Sequence, residues 1–588
     1  MGMILSWLSM LVFSWRRWTA PIADSGREMD LPLRLLRGEV LYRDISYLYP
    51  PLAPYLNSLL YRVFGPHLDV LHCAGIICSI LIVVISYSIA RRILDRTGSS
   101  IAVTAIIVLC LFKPSGNLIS PYAFAALYGM IFSLATLLVS LRYAETKNDR
   151  ELISAGILIG LAVITKQEFG LASAITITGT LTFIYRNQWK VFVRNLLVAA
   201  IPAMMIALPV YSFLIWHIGW RTIVEDCHLF YTHLPASLVF YNSQRTGMDR
   251  PFLSILQMFG AAAVAIAALS LVVILSDRTR KTFIRLIPVM AGSAIVIAAV
   301  AFVSGTQWDG SPLRALPLLL VAMIVYSWRK CDRKADAALF VISVYSLAIL
   351  ARVSLRVPSG GAFGGYFLPA SLILFCYLFT VALPRLAGHW AENEPAVKQV
   401  RIYGAAILIV TLTIMLIVFG IRFRRNYNIE LIAQRGHLYL PRSSGPVIKQ
   451  AIDYIETSTQ PGEQIAVLPE GSDIVFLTAR TTALRHQIMI PGLMSGNDEQ
   501  TAIALLDRKK VQYILIVNRP MREFGLEAFG RDFYTNLGGW IDAHYSTVAI
   551  FGGSGNPDIQ IGDRNFFVKV KRRVKFVSAQ RIKCSRSW

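Results

Sequence analysis

Carboxylates, guanidinium groups and tyrosines crowd into one stretch, Asp24 to Gly65, between the first two apolar segments of the chain. It carries Asp24, Glu28, Asp30, Glu39 and Asp44 with Arg27, Arg34, Arg37, Arg43 and Arg62, and a Tyr49-Pro50-Pro51 turn. A carboxylate held beside a bilayer can act as general base toward an acceptor hydroxyl or amine within hydrogen-bond reach. Asp24 is the leading candidate because the first apolar segment anchors its backbone, and Arg27 and Glu28 lie about one turn further on if an amphipathic helix covers Glu28–Leu36. The plainer role for Asp24 is to N-cap that helix.

The rest of that face offers groups for a charged leaving group. Arg43, Lys166, Arg221, Arg352 and Arg356 are placed to neutralise a lipid phosphate, although interfacial snorkelling accounts equally for most of them. Lys166 stands out. It lies between Leu152–Thr165 and Phe169–Ile184 in a hairpin closed only by Lys166-Gln167-Glu168, on the side where lysine is least expected. Tyr47, Tyr49, Tyr55, Tyr366 and Phe367 have the chemistry to stack on a sugar or a prenyl chain, and also that of an ordinary aromatic belt.

These groups need a membrane scaffold to position them. A mean hydropathy of +0.54 and 55% hydrophobic residues over 588 exclude an ordinary soluble protein. Apolar windows near 70–90, 99–113, 122–141, 151–165, 169–185, 195–216, 253–275, 286–303, 314–328, 336–352, 364–383 and 403–421, with the N-terminal segment, predict about 13 transmembrane helices. The first is short, being interrupted by Trp15-Arg16-Arg17-Trp18, whose arginines are expected to snorkel at the outer interface or to mark a true start lying upstream; a cleaved signal peptide fits less well.

The net charge of +23 follows the positive-inside rule rather than nucleic-acid binding. Arg91, Arg92 and Arg96, then Arg142, Lys147 and Arg150, then Arg186, Lys190 and Arg194 sit in alternate loops, while 114–121, 304–313 and 357–363 have no Lys or Arg. The N-terminus is therefore expected in the cytoplasm of a multi-pass cell membrane protein (inner or plasma membrane), with loop 21–66 and the C-terminal region outside. Seven cysteines form no disulfide framework or metal-site spacing, and a Cys227–Cys584 bridge has no support.

Composition changes after residue 421, which divides the chain into a transmembrane domain over 1–421 and an extracytoplasmic α/β domain over 422–588. Strands are expected at Gln464–Leu468, Tyr513–Val517, Thr547–Phe551 and Phe566–Val570, helices at Thr501–Asp507 and Phe533–His544. The tail from Lys569 is basic and suits either anionic head groups or solvent.

Asp24-Ser25-Gly26-Arg27-Glu28, Arg37 to Asp44, Tyr49 to Tyr55 and Tyr61 to Gly65 resemble the first external loop of the GT-C superfamily of polytopic lipid-linked glycosyltransferases. Protein mannosyltransferases, the aminoarabinose transferase of lipid A and the RgtA/B/C/D-like sugar transferases belong to it. Gly160 to Lys166 and Gly365 to Pro369 match as well. The resemblance implies hexosyl or pentosyl transfer, with inversion, from a polyprenyl-phosphate or polyprenyl-diphosphate sugar to a glycan, lipid or protein acceptor on the outer face. It makes Asp24 the base or acceptor-orienting group. Ser25, Tyr49 and Ser120-Pro121-Tyr122 depart from the best-known members; with no second Asp at 25, neither a metal nor any other cofactor is indicated, and Glu28 or Glu168 could compensate. The candidate set is then Asp24 and Glu28 as catalytic groups, with Arg27, Arg43, Asp44, Tyr49, Tyr122, Lys166, Glu168, Arg352 and Tyr366 binding substrate.

Two other classes compete. A transporter or flippase of lipid-linked saccharides should carry ionisable groups near mid-bilayer, whereas here they gather at one surface. A non-catalytic envelope assembly protein predicts that Asp24, Glu28 and Lys166 are scattered in space.

Overall fold

The computed structural model describes residues 2–19, 21–114, 116–227, 235–278, 289–294, 312–330, 334–357, 361–386, 394–556, 558–562 and 565–574. The chain opens with helices α1 (Gly2–Ser14), α2 (Ser25–Leu36), α3 (Leu52–Phe64) and α4 (Leu68–Ala90). Among the described residues, seven helices are long and apolar enough to cross a membrane, and Gly2–Ser14 and Arg96–Leu111 are shorter apolar helices. Asp149–Val163 and Leu316–Lys330 match further expected crossings at reduced length; most of the window 286–303 lies outside the described residues.

Local chemistry sets the boundaries. The Asp95 side chain accepts from Gly98 N at 2.7 Å and caps Arg96–Ile106, and Asn148 does the same for Asp149–Val163 through Arg150 N. Gly65, at φ +85°, ends α3. Small residues let helices approach. A Cβ on Gly156 would stand 2.1 Å from the carbonyl oxygen of Ala199, so Asp149–Val163 and Trp189–Ile218 meet backbone to backbone.

The helix Glu394–Asn426 runs directly into a hairpin of β1 (Tyr427–Ala433) and β2 (Gly436–Pro441). A four-stranded sheet follows in the order β3-β4-β6-β5, with β3 (Ile465–Leu468) parallel to β4 (Tyr513–Val517). β6 (Phe567–Arg573) is antiparallel to both β4 and β5 (Tyr545–Gly552). β3 and β4 are buried at every residue, as their unbroken apolar runs require. One apolar core passes from the helices into this domain, and Tyr61 of α3 stacks on Phe476 with ring centroids 5.9 Å apart.

Three expectations need correction. Helix α2 begins at Ser25, earlier than expected, and is buried from Ser25 to Leu35, so its polar face is not solvated. Instead, the C-terminal domain covers it: Arg34 Nη1 donates to the Leu484 carbonyl at 2.9 Å and Gln487 Nε2 to Asp30 Oδ2 at 2.5 Å. Arg16 and Arg17, expected to snorkel or to mark an upstream start, are held by polar groups of the protein itself. Arg16 pairs with Asp69 at 2.7 Å, and Arg17 donates to the Tyr427 carbonyl at 3.0 Å and stacks over Tyr439. Finally, Lys569 to Arg573 form β6 rather than a tail, with Lys571 paired to Asp542 and Arg573 to Asp507. Residues from 575 on, with Cys584, lie outside the described residues.

Candidate active site

Most of the sequence-selected residues meet where α2, the start of helix Phe124–Thr146 and the 164–168 hairpin converge. Helix α2 leads the arrangement. Its Arg27 Nη2 donates to the Tyr122 carbonyl at 2.9 Å and its Nε to Glu28 Oε1 at 3.0 Å. Glu28 Oε2 accepts the Phe124 N–H at 2.8 Å, one of the orphan donors of that helix N-terminus. Burial raises the Glu28 carboxyl above its ordinary range, against the pull of Arg27 and the Phe124 N–H. Glu28 is thus a buried clasp between two elements.

Lys166, 5% exposed, closes the hairpin as expected. Its Nζ lies 3.2 Å from Glu168 Oε2 and donates to the Tyr122 hydroxyl at 3.3 Å. It also stands 4.2 Å above the Tyr49 ring. Glu168 accepts from Arg352 Nη1 at 2.6 Å, and Asn242 holds the other Arg352 nitrogen at 2.7 Å. Tyr366 packs edge-on against Tyr122, centroids 5.4 Å apart, and Arg27 lies over Tyr49. Asp24, Tyr49, Tyr122 and Glu168 are half-buried and Arg352 is exposed, so these residues form the open side of the cluster.

Asp24 stands apart in its bonding. At φ 56° and ψ −47° it precedes α2 yet makes no side-chain cap, so the simple N-cap role does not hold. Among the described residues, its carboxylate has no hydrogen bond or ion pair, although Arg27, Glu28 and Tyr366 lie within its electrostatic field. A half-buried, unpaired carboxylate beside the fixed Arg27 guanidinium has lone pairs free to accept a proton.

Arg43 and Asp44 lie elsewhere. They pair with each other at 2.8 Å, Asp44 also accepts the Val40 N–H at 2.8 Å, and Arg485 of the C-terminal domain donates to the Arg43 and Tyr42 carbonyls. They serve the contact between loop and C-terminal domain. Arg356 bonds Asp249 and the Gln244 carbonyl, and Arg221 lies beside Trp220. A small, partly open pocket in the C-terminal domain is lined by residues including Leu484, Arg485, His486 and Asp498, and by none of the cluster residues. Among the described residues, no three His, Cys, Asp or Glu side chains converge here as a metal-ligand group, and Glu28 and Glu168 are both engaged with cations.

Sequence reasoning missed the polar groups that the C-terminal domain supplies. Asp473 Oδ2 accepts the Ile22 N–H at 3.2 Å, Gln487 meets Asp30, and Arg485 pairs with Asp226 at 2.7 Å. The one available signal was Glu470-Gly471-Ser472-Asp473, a polar break between two apolar runs.

The family described as dolichyl-phosphate-mannose-protein mannosyltransferase matches residues 49–234. No curated protein sequence matches the chain. The oligosaccharyltransferase of Archaeoglobus fulgidus, in complex with zinc and sulfate, superposes with a TM-score of 0.50 at 14% identity, over 95% of this chain and 72% of that one. Its apo form gives 0.51 at 12% identity, over 96% and 75%. ArnT from Cupriavidus metallidurans bound to undecaprenyl phosphate is similar over 96% of both chains, with 11% identity and a TM-score of 0.44. The chain thus shares the fold of an oligosaccharyltransferase along nearly its whole length and is similar to the mannosyltransferase family over residues 49–234.

Proposed function

We propose that the protein transfers a sugar from a polyprenyl-phosphate or polyprenyl-diphosphate carrier to an acceptor at the extracytoplasmic face of a cell membrane, with Asp24 as base. The observation that carries this reading is the Asp24 carboxylate, unpaired among the described residues and half-buried beside Arg27. The family match, whose description names a dolichyl-phosphate sugar, supports the donor class.

In the reaction, the acceptor hydroxyl gives its proton to a carboxylate oxygen of Asp24. Its oxygen forms the new bond to the anomeric carbon as the bond from that carbon to the phosphate oxygen breaks, and the electron pair leaves on the carrier phosphate. Attack from the face opposite the leaving group inverts the anomeric centre. Lys166, Arg27 and Arg352 supply positive charge for the phosphate, and Tyr49, Tyr122 and Tyr366 supply ring faces for the sugar. The convergence of Asp24, Glu28 and Lys166 favours an enzyme over an assembly protein, which needs no such meeting.

The test is sugar transfer by purified protein in liposomes from a synthetic polyprenyl-phosphate sugar, read as loss of the lipid donor and labelling of envelope acceptors. Transfer that Asp24→Asn abolishes supports the reading. A folded Asp24→Asn protein with full activity sinks it.

A further inference from the structure

We propose that Asp473, in the C-terminal domain, is a positioning residue that holds the turn carrying Asp24 in its working conformation. This rests on the reading of Asp24 as the base.

The turn is strained. Ile22 has φ 76° and Asp24 φ 56°, and for residues with a Cβ, above all a β-branched one, that region is sparsely populated. Such a residue is strained and persists only where its surroundings over-determine it. The surroundings are identifiable. Asp473 Oδ2 accepts the Ile22 N–H at 3.2 Å across 451 residues of sequence, and both residues are buried. Two residues after Asp24, Gly26 lies so close to the backbone of Ser472 and Asp473 that an added Cβ would come within 2.2 Å of the Asp473 nitrogen. Asp24 is therefore flanked on both sides by contacts to one residue of the other domain.

The carboxylate of Asp473 accepts a backbone N–H of the turn and, among the described residues, has no hydrogen bond or ion pair with the cluster side chains named above. Burial without an ion pair pushes it up to about 6. Its effect on chemistry must pass through the placement of Asp24, where a shift of about 1 Å is enough to cost on the order of 100-fold in rate. A purely local role, supporting the short helix Ser472–Leu477, predicts instead a stability loss with no selective loss of turnover.

The experiment uses full-length protein in liposomes with a synthetic polyprenyl-phosphate sugar, comparing wild type, Asp473→Ala and Asp473→Asn, with hydrogen exchange over residues 20–27. Asparagine keeps an acceptor oxygen for the Ile22 N–H; alanine has none. The expected result is a kcat about 10- to 100-fold lower in Asp473→Ala with donor KM within about twofold, recovery to within about threefold in Asp473→Asn, and faster exchange of the turn in Asp473→Ala alone. If the alanine variant is not recovered folded, Asp473→Ser, whose hydroxyl falls short of Ile22, is judged by the same criteria. Wild-type kcat in the alanine or serine variant, equal impairment by asparagine, or unchanged exchange overturns the proposal. A wild-type protein that transfers no sugar refutes the glycosyl-transfer reading instead, and the exchange arm then decides whether Asp473 holds the turn.

Discussion

Glu28 of the first loop and Phe124 at the head of a transmembrane helix are joined by a hydrogen bond of 2.8 Å from the Phe124 N–H to the Glu28 carboxylate. Its other oxygen takes Arg27, so the residue is fully engaged and is a poor base. Glu28→Ala should lower stability by about 3–5 kcal/mol, since it strands the buried Arg27 charge and an N-terminal N–H. Glu28→Gln keeps one acceptor and should lose less. Thermal unfolding in detergent separates the two, and a stability loss for alanine no larger than for glutamine counts against the clasp.

Asp24 predicts the opposite pattern. Asp24→Asn removes no hydrogen bond among the described residues, so its melting temperature should match wild type to within a few degrees. Turnover should fall by about 100- to 10,000-fold, the range of general-base catalysis. Steady-state transfer kinetics alongside thermal unfolding check both halves of the statement.

Lys166 and Glu168 should behave asymmetrically. Glu168 has a second cation in Arg352 at 2.6 Å, so Lys166→Met leaves no orphaned carboxylate. The variant should fold and show a raised donor KM or a lowered kcat of about tenfold or more, as expected when a phosphate-facing charge is lost. Glu168→Gln frees two cations and should cost stability first. Kinetics and unfolding of the pair are the measurement, and full activity in Lys166→Met removes that lysine from phosphate binding.

Gly26→Ala tests the contact between α2 and the C-terminal domain. The backbone atoms facing this glycine cannot swing aside, so the methyl must push the elements apart. A loss of about 1–3 kcal/mol, or failure to fold, is expected. Faster proteolysis between residues 20 and 40 in the purified variant is the observable.

The same contact titrates. Burial raises both Asp473 and Asp226 to about 6, the latter despite Arg485. A carboxyl raised above its unfolded value of about 4 gives stability that is present below pH 4 and is lost as pH rises through 6. For Asp473 the change is on the order of 3 kcal/mol. Asp473→Asn should therefore flatten the fall in melting temperature between pH 4.5 and 7; an unaltered pH profile contradicts it.

Much of this was legible in the chain itself. The apolar windows, the tight Lys166 hairpin and the strands at 465–468 and 513–517 follow from periodicity and run length, because burial on both faces leaves an unbroken apolar signature. Arg27, Tyr49, Tyr122, Glu168 and Tyr366 were identifiable as polar or aromatic residues beside apolar spans. The pairing of α2 with Asp473, Leu484 and Gln487 was not, since it joins segments about 450 residues apart. An amphipathic pattern declares a polar face without saying whether water or another domain satisfies it. Arg43 and Asp44 misled for the same reason, as charged neighbours of the site that face a different partner.

That separation also sets an order of events during synthesis. Helix α2 emerges among the first residues, but the Leu484 carbonyl that receives Arg34 is made 450 residues later. At about 5–20 residues per second the wait is roughly 20–90 s. The loop acquires its cover only after that interval, so the nascent chain passes through it with Arg34 and the rest of α2 not yet held.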